Sequence, residues 1–226
     1  MEAGELEMYV VISGDGSNTI KVPALKEHYH SHKGAINESK HVFIKMGLEG
    51  VTVKDELNIL EVGFGTGLNA LLTALNGIDC KLNYVALEPY PLDTSILNQL
   101  NYTDELNATQ ASDIYKAMHT GAWNTWIDLS ANMRLVKRQD RIEEYDGSEK
   151  FDLVYYDAFA PHAQPELWEP QIWQILFNQM NFGGVLVTYC AKGQVRRDMQ
   201  AAGFSVERLP GPPGKREMLR ASKPIS

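Results

Sequence analysis

From Leu57 onward, short apolar runs alternate with stretches of helical period, whereas the first 55 residues carry no clear helical rhythm. Leu57 to Val62 predicts a short strand, Gly63 to Gly67 a loop and Leu68 to Leu75 a helix. Asn83 to Glu88 reads as a second strand, followed after Pro91 by a helix through Leu100, and Asp104 to Trp126 as mostly helical. Met133 to Lys137 and Phe151 to Tyr156 are the third and fourth strands. Pro170 starts a helix through Met180, its fixed φ suiting a first turn; Gly183 and Gly184 break that helix, and Val185 to Tyr189 is the fifth strand. A helix over Gln194 to Ala202, stopped by Gly203, precedes an antiparallel pair formed by Phe204 to Arg208 and Glu217 to Ala221. Strands alternating with helices specify an α/β fold with a doubly wound, mainly parallel sheet, and ligands then bind at the carboxyl ends of the strands.

Ahead of this pattern, Met8 to Ile12 and Thr19 to Val22 predict a hairpin around the turn Asp15 to Asn18, and Ile36 to Met46 a helix ended by Gly47. Residues 1–55 are therefore expected to be a small N-terminal extension packed on a main domain of residues 56–226. At 226 residues and 44% hydrophobic content, the chain can bury one substantial core but not two catalytic domains. No apolar run reaches the roughly 20 residues of a membrane span. Met1 to Glu5 lacks the basic start of a signal peptide, so a cytoplasmic protein with no membrane association is expected. Cys80 and Cys190 have no close Cys/His set and read as buried, reduced thiols rather than as a disulfide or zinc site.

A net charge of −8 taken alone argues against nucleic acid, but residues 192–226 carry +5 and the preceding residues −13. An acidic body with one cationic face fits that asymmetry; a solvated helix followed by a basic tail fits it too.

The chemistry centres on Glu61-Val62-Gly63-Phe64-Gly65-Thr66-Gly67. Glycines at a strand-to-helix turn accept positive φ and let a ligand approach the backbone. The third glycine of a dinucleotide site is replaced by Leu68, which favours S-adenosylmethionine, a donor without a phosphate, and Glu61 ahead of the loop is similar to the first motif of class I methyltransferases. Glu88 closes the second strand, where an ionised carboxylate can accept both ribose hydroxyls; Asp140, after the third, can accept from the adenine amino group. Asp157, at the end of the fourth strand, can orient an amine and take its proton, with Phe159 shaping the pocket wall. A strand-end carboxylate that merely caps a turn competes with the reading of Asp157, and an ordinary polar loop with that of Asp140. The alternating histidines of His28-Tyr29-His30-Ser31-His32 lack a completing carboxylate or cysteine, so no metal site is expected. Trp123, Trp126, Trp168 and Trp173 read as packing residues on helices.

Several segments together resemble the tRNA 5-aminomethyl-2-thiouridine methyltransferases, that is, the methyltransferase domain of the bifunctional MnmC protein and its stand-alone, MnmD-like relatives. They are Tyr29-His30-Ser31, Glu38-Ser39, Gly63-Phe64-Gly65-Thr66-Gly67-Leu68-Asn69, Asp157-Ala158-Phe159-Ala160-Pro161, Tyr189-Cys190-Ala191-Lys192-Gly193 and Pro210-Gly211-Pro212-Pro213-Gly214-Lys215-Arg216-Glu217. The resemblance implies a Rossmann-like class I fold with a mainly parallel seven-stranded sheet whose last strand is antiparallel. It implies methylation of the aminomethyl nitrogen at carbon 5 of the tRNA wobble uridine. Glu61, Gly63, Phe64, Gly65, Gly67, Leu68, Asn69, Glu88, Asp140 and Asp157 are expected to hold the donor, with Asp157 and Phe159 catalytic. Tyr29, His30, Lys192, Arg196, Arg197, Lys215 and Arg216 are expected to contact the anticodon arm. The bifunctional form continues into an FAD-dependent oxidase; this chain ends at Ser226, so no flavin is expected. Aminopropyl transfer, which uses a related sulfonium donor, and a non-catalytic nucleoside-binding module remain the other readings.

Overall fold

The computed structural model describes residues 7–52 and 54–225. The Met1 to Glu5 start lies outside the described residues.

β1 (Tyr9–Ile12), β2 (Asn18–Val22) and β3 (Glu27–His28) form a small antiparallel sheet, the hairpin expected from the Asp15 turn. The expected helix from Ile36 begins as α1 (Ala35–Ser39) and widens into a π-helical stretch over Lys40–Lys45. Its apolar residues Ile36, Val42, Phe43 and Ile44 are buried in the same cluster as the main sheet.

The main sheet contains β4 (Glu56–Val62), β5 (Lys81–Leu87), β6 (Ile127–Asp128), β7 (Met133–Arg138), β8 (Phe151–Tyr156), β9 (Met180–Thr188), β10 (Ser205–Pro210) and β11 (Glu217–Ser222), in the order β10-β11-β9-β8-β4-β5-β7-β6. β4, β5, β7, β8 and β9 are parallel, and β11 runs antiparallel to both of its neighbours. The two-residue β6 adds an eighth, antiparallel strand at one edge, beyond the seven expected. Central strands covered on both faces are apolar on both faces. Leu57 and Ile59 of β4 join the cluster under α2 (Leu68–Leu75) and α5 (Ala111–Thr120), whereas Leu60 and Val62 join the one under α6 (Pro170–Gln179) and α7 (Gly193–Ala201).

Three sequence expectations are corrected. The helix after Pro91 is confined to α3 (Thr94–Leu97). The stretch Asp104 to Trp126 holds α4 (Tyr102–Leu106) and α5, interrupted where Asn107 takes φ 46° and ended at Gly121, so neither Trp123 nor Trp126 is helical. Gly183 and Gly184 do not break a helix: Met180 already belongs to β9, and Gly183, at φ 77°, sits where the pairing with β8 shifts register. Trp168 and Trp173 are core residues, as expected, while Trp126 is 37% exposed beneath Arg134.

Candidate functional site

Register brings the chemistry to one end of the sheet. Val62 pairs with Leu87 on one side and with Tyr156 on the other, so the residues that follow, Gly63, Glu88 and Asp157, emerge side by side. β4 is also where the strand order reverses, since the chain proceeds to β5 and β7 on one flank and returns to β8 and β9 on the other. Gly63, Gly65 and Gly67 have φ of 93°, 49° and 75°, which makes the turn into α2 possible. A Cβ on Gly63 would lie 2.6 Å from the Asp157 carbonyl oxygen, and one on Gly65 would lie 3.0 Å from the Tyr29 ring. Substituents are therefore excluded where the loop abuts β8 and the N-terminal segment.

Glu88 accepts the amides of Gly65 and Tyr90, both at 2.9 Å. Burial nevertheless outweighs those donors and pushes its carboxyl up to about 7. Asp157 is likewise pushed up to about 7, first by burial and then by the negative charge of Glu38, against the pull of Asn69 and Lys215. Glu61 is fully buried and turned away from the opening, accepting from Asn69 at 2.9 Å and from Tyr84 at 2.9 Å; burial raises its carboxyl strongly.

A cavity of about 380 Å³ opens above these strand ends, a size typical of small-molecule sites. Of the residues singled out in the sequence, Tyr29, His30, Gly63, Phe64, Gly65, Glu88, Asp140, Asp157, Phe159 and Lys215 line it. Glu61, Gly67, Leu68 and Asn69 are not part of that lining; all four are buried, and Gly67 caps α2. Lys192, Arg196, Arg197 and Arg216 are also not part of it, and Lys192, Arg197 and Arg216 are exposed. His30 is 8% exposed and faces Tyr102 edge-on, an inward placement rather than one on a phosphate-binding surface. Lys215 points inward too, pairing with the buried Glu38 at 2.7 Å. Asp140 is engaged by Arg138. The Tyr29 and Phe159 rings meet edge to face, 4.9 Å apart, and make an aromatic wall.

Sequence reasoning assigned no role to Glu38 or Tyr189. Glu38 lay within a recognised motif, but only folding sets it against Lys215 and within the field of Asp157. Among the described residues no three His, Cys, Asp or Glu side chains gather to hold a metal, and no helix is long and apolar enough to cross a membrane.

The arrangement suits a cationic adenosyl donor. The lining carries six carboxylates against three lysines and arginines. Glu88 presents its carboxyl to the cavity beside the glycine loop. The backbone at Gly63 and Gly65 offers a floor without side chains, and hydroxyl-rich or charged ligands find acceptors rather than a phosphate-binding cluster of cations.

Comparison with known proteins supports that chemistry. The profile of a family described as S-adenosyl-L-methionine-dependent methyltransferase matches residues 106–224. The chain is 30% identical over 210 residues to the tRNA 5-methylaminomethyl-2-thiouridine biosynthesis bifunctional protein MnmC of Pseudomonas savastanoi pv. phaseolicola, covering 86% of this chain and 32% of that protein. It thus spans about a third of the length of the curated relatives it matches. The crystal structure of MNMC2 from Aquifex aeolicus superposes with a TM-score of 0.79 at 24% identity, covering 99% of this chain and 74% of that one. Spermidine synthase from Thermotoga maritima shares the fold at a TM-score of 0.53 and 15% identity, covering 98% and 75%.

Proposed function

The chain belongs to the family of S-adenosyl-L-methionine-dependent methyltransferases, and from that premise we propose that it methylates the aminomethyl nitrogen at carbon 5 of the tRNA wobble uridine, giving 5-methylaminomethyl-(2-thio)uridine. The observation that carries this reading is Asp157: a carboxyl held near pH 7, at the switch point, beside the glycine loop and under an aromatic wall. The name of the Pseudomonas relative, a protein of 5-methylaminomethyl-2-thiouridine biosynthesis, supports the choice of substrate.

S-adenosylmethionine supplies an electrophilic methyl group when bound. The chain's own residues do the rest. Glu88 accepts hydroxyl hydrogens of the donor's ribose, and the main chain from Gly63 to Gly67 supports its amino-acid part. Asp157 accepts a hydrogen bond from the substrate amine, fixes its direction and takes the proton that the nitrogen sheds on methylation. Tyr29 and Phe159 shield the amine from water and bear on the face of the pyrimidine. A wobble base lies in a single-stranded loop and can be extruded into such a pocket at modest unstacking cost. Lys192, Arg196, Arg197 and Arg216 hold anticodon-arm phosphates, and Lys192, Arg197 and Arg216 are exposed. Such a reaction on tRNA belongs in the cytoplasm.

The test is incubation of the purified protein and aminomethylated tRNA with S-adenosylmethionine or with its decarboxylated form, in separate reactions. S-adenosylhomocysteine and a methylated wobble nucleoside, formed only with the first donor, are expected. Methylthioadenosine from the second would replace this reading with aminopropyl transfer.

A further inference from the structure

We infer that Asn69 is a positioning residue for the methyl-transfer reaction: its carboxamide fixes the Asp157 carboxylate by tying it to the buried Glu61–Tyr84 pair. The inference rests on the reading of Asp157 as the group that faces the amine. It departs from the expectation that Asn69 and Glu61 touch the donor, since neither lines the cavity.

Asn69 is the second residue of α2 and is 2% exposed. Its Nδ2 donates to Asp157 Oδ2 at 2.8 Å and to Glu61 Oε1 at 2.9 Å. An amide nitrogen has two hydrogens, so both are committed to carboxylate oxygens. Turning the amide over would set Oδ1 against both acids. The cost of the orientation kept is visible: Oδ1 is buried without a hydrogen-bond partner. An unsatisfied acceptor is tolerated because two hydrogen bonds to buried carboxyl oxygens fix the opposite edge.

The other end of the chain of bonds is anchored in the sheet. Glu61 Oε2 accepts from the Tyr84 hydroxyl at 2.9 Å, and both residues are fully buried. The Asn69 main-chain carbonyl accepts from the Thr73 hydroxyl at 2.8 Å, and that hydroxyl meets the one of Tyr155 at 3.2 Å. Asp157 is also in the field of Glu38 on α1, of Lys215 in the loop between β10 and β11, and of Glu61 on β4 and Tyr189 beyond β9. Among the described residues, Asn69 alone donates a hydrogen bond to its carboxyl, and only to Oδ2. Oδ1 therefore remains for the amine, with its direction set.

The first part of the test, the titration of Asp157, needs no substrate. Carboxyl-labelled aspartate in the protein without S-adenosylmethionine reports the Asp157 titration by carbon NMR, in the wild type and in Asn69→Leu and Asn69→Ala. Asn69→Ala removes the amide with the smaller, helix-compatible side chain should Asn69→Leu fail to fold. Removing the donor favours the neutral acid, so the midpoint is expected to rise by about one pH unit or more in both variants. The affinity for S-adenosylmethionine should stay within about threefold. Turnover should fall about tenfold or more, and little further when Asn69→Leu is added to Asp157→Asn, since one residue acts through the other. An unshifted midpoint, additive losses, or a loss confined to donor affinity each overturn the proposal. A shifted midpoint combined with undiminished turnover of Asp157→Asn verifies the hydrogen bond but removes Asp157 from the reaction, and so overturns the reading of Asp157 and the positioning role with it.

Discussion

Lys215 Nζ stands 2.7 Å from Glu38 Oε1 and 3.9 Å from the centre of the Tyr189 ring, joining the loop between β10 and β11 to α1 across 177 residues of sequence. The pair closes one wall of the cavity and brings two opposite charges into the field of Asp157. Its two halves therefore have opposite effects on the same carboxyl.

Replacing Glu38 with Gln removes the charge that raises Asp157, so the acid limb of kcat/KM should move below its wild-type position near pH 7. Lys215→Met removes the charge that lowers Asp157 and should move the limb upward. It also leaves Glu38 with the Ser31 amide as its one remaining hydrogen-bond donor among the described residues, and should destabilise the fold by about 1–3 kcal/mol in urea titration. Limbs that move together would show that the pair acts through shape rather than charge.

Gly63 combines φ 93° with backbone of the β8 exit 2.6 Å from any Cβ. Gly63→Ala should therefore cost about 1–3 kcal/mol of stability and abolish donor binding by calorimetry. Gly77, at φ 74° with nothing near its Cβ position, is the control: Gly77→Ala should cost about 1 kcal/mol and leave binding intact.

Glu88 and Asp157 are raised from 4.5 and 3.8 to about 7, so the folded protein holds more protons than the unfolded chain between about pH 4 and pH 7. Their contribution to stability is present in full below the unfolded values and is lost as pH rises through 7. A cationic donor favours both charged forms, so binding at pH 6.5 should release protons and tighten as pH rises. Calorimetry in buffers of different ionisation enthalpy measures that release, and Glu88→Gln should reduce it.

The proposed phosphate contacts predict a salt signature. Arg197→Ala and Arg216→Ala should each weaken tRNA binding and lower the slope of log K against log salt by about one. Binding of S-adenosylmethionine should be unaffected, because neither residue lines the cavity.

The core of the fold was legible because its signals are local. The change from a buried strand at Leu57 to Val62, through three glycines, to an apolar helix marks a strand, turn and helix without reference to the rest of the chain, and the observed bounds of α2 match. Boundaries set by less conspicuous residues were not legible: Asn107, in the left-handed region, divides α4 from α5, and Gly183 serves a strand irregularity that resembles a helix stop. The same division holds at the site. Glu88 and Asp157 follow directly from strand ends, whereas the inward turn of Lys215 depends on a loop meeting α1, and that of Glu61 on side-chain alternation within a strand buried on both faces.

The most direct measurement of the central claim is mass spectrometry of the wobble nucleoside after aminomethylated tRNA is treated with isotope-labelled S-adenosylmethionine, for the wild type and Asp157→Asn, with donor affinity measured alongside. The account predicts label on the aminomethyl nitrogen with the wild type, and a loss of about a hundredfold or more in the variant at near-normal donor affinity. Label at another position, or equal labelling by both proteins, would contradict it.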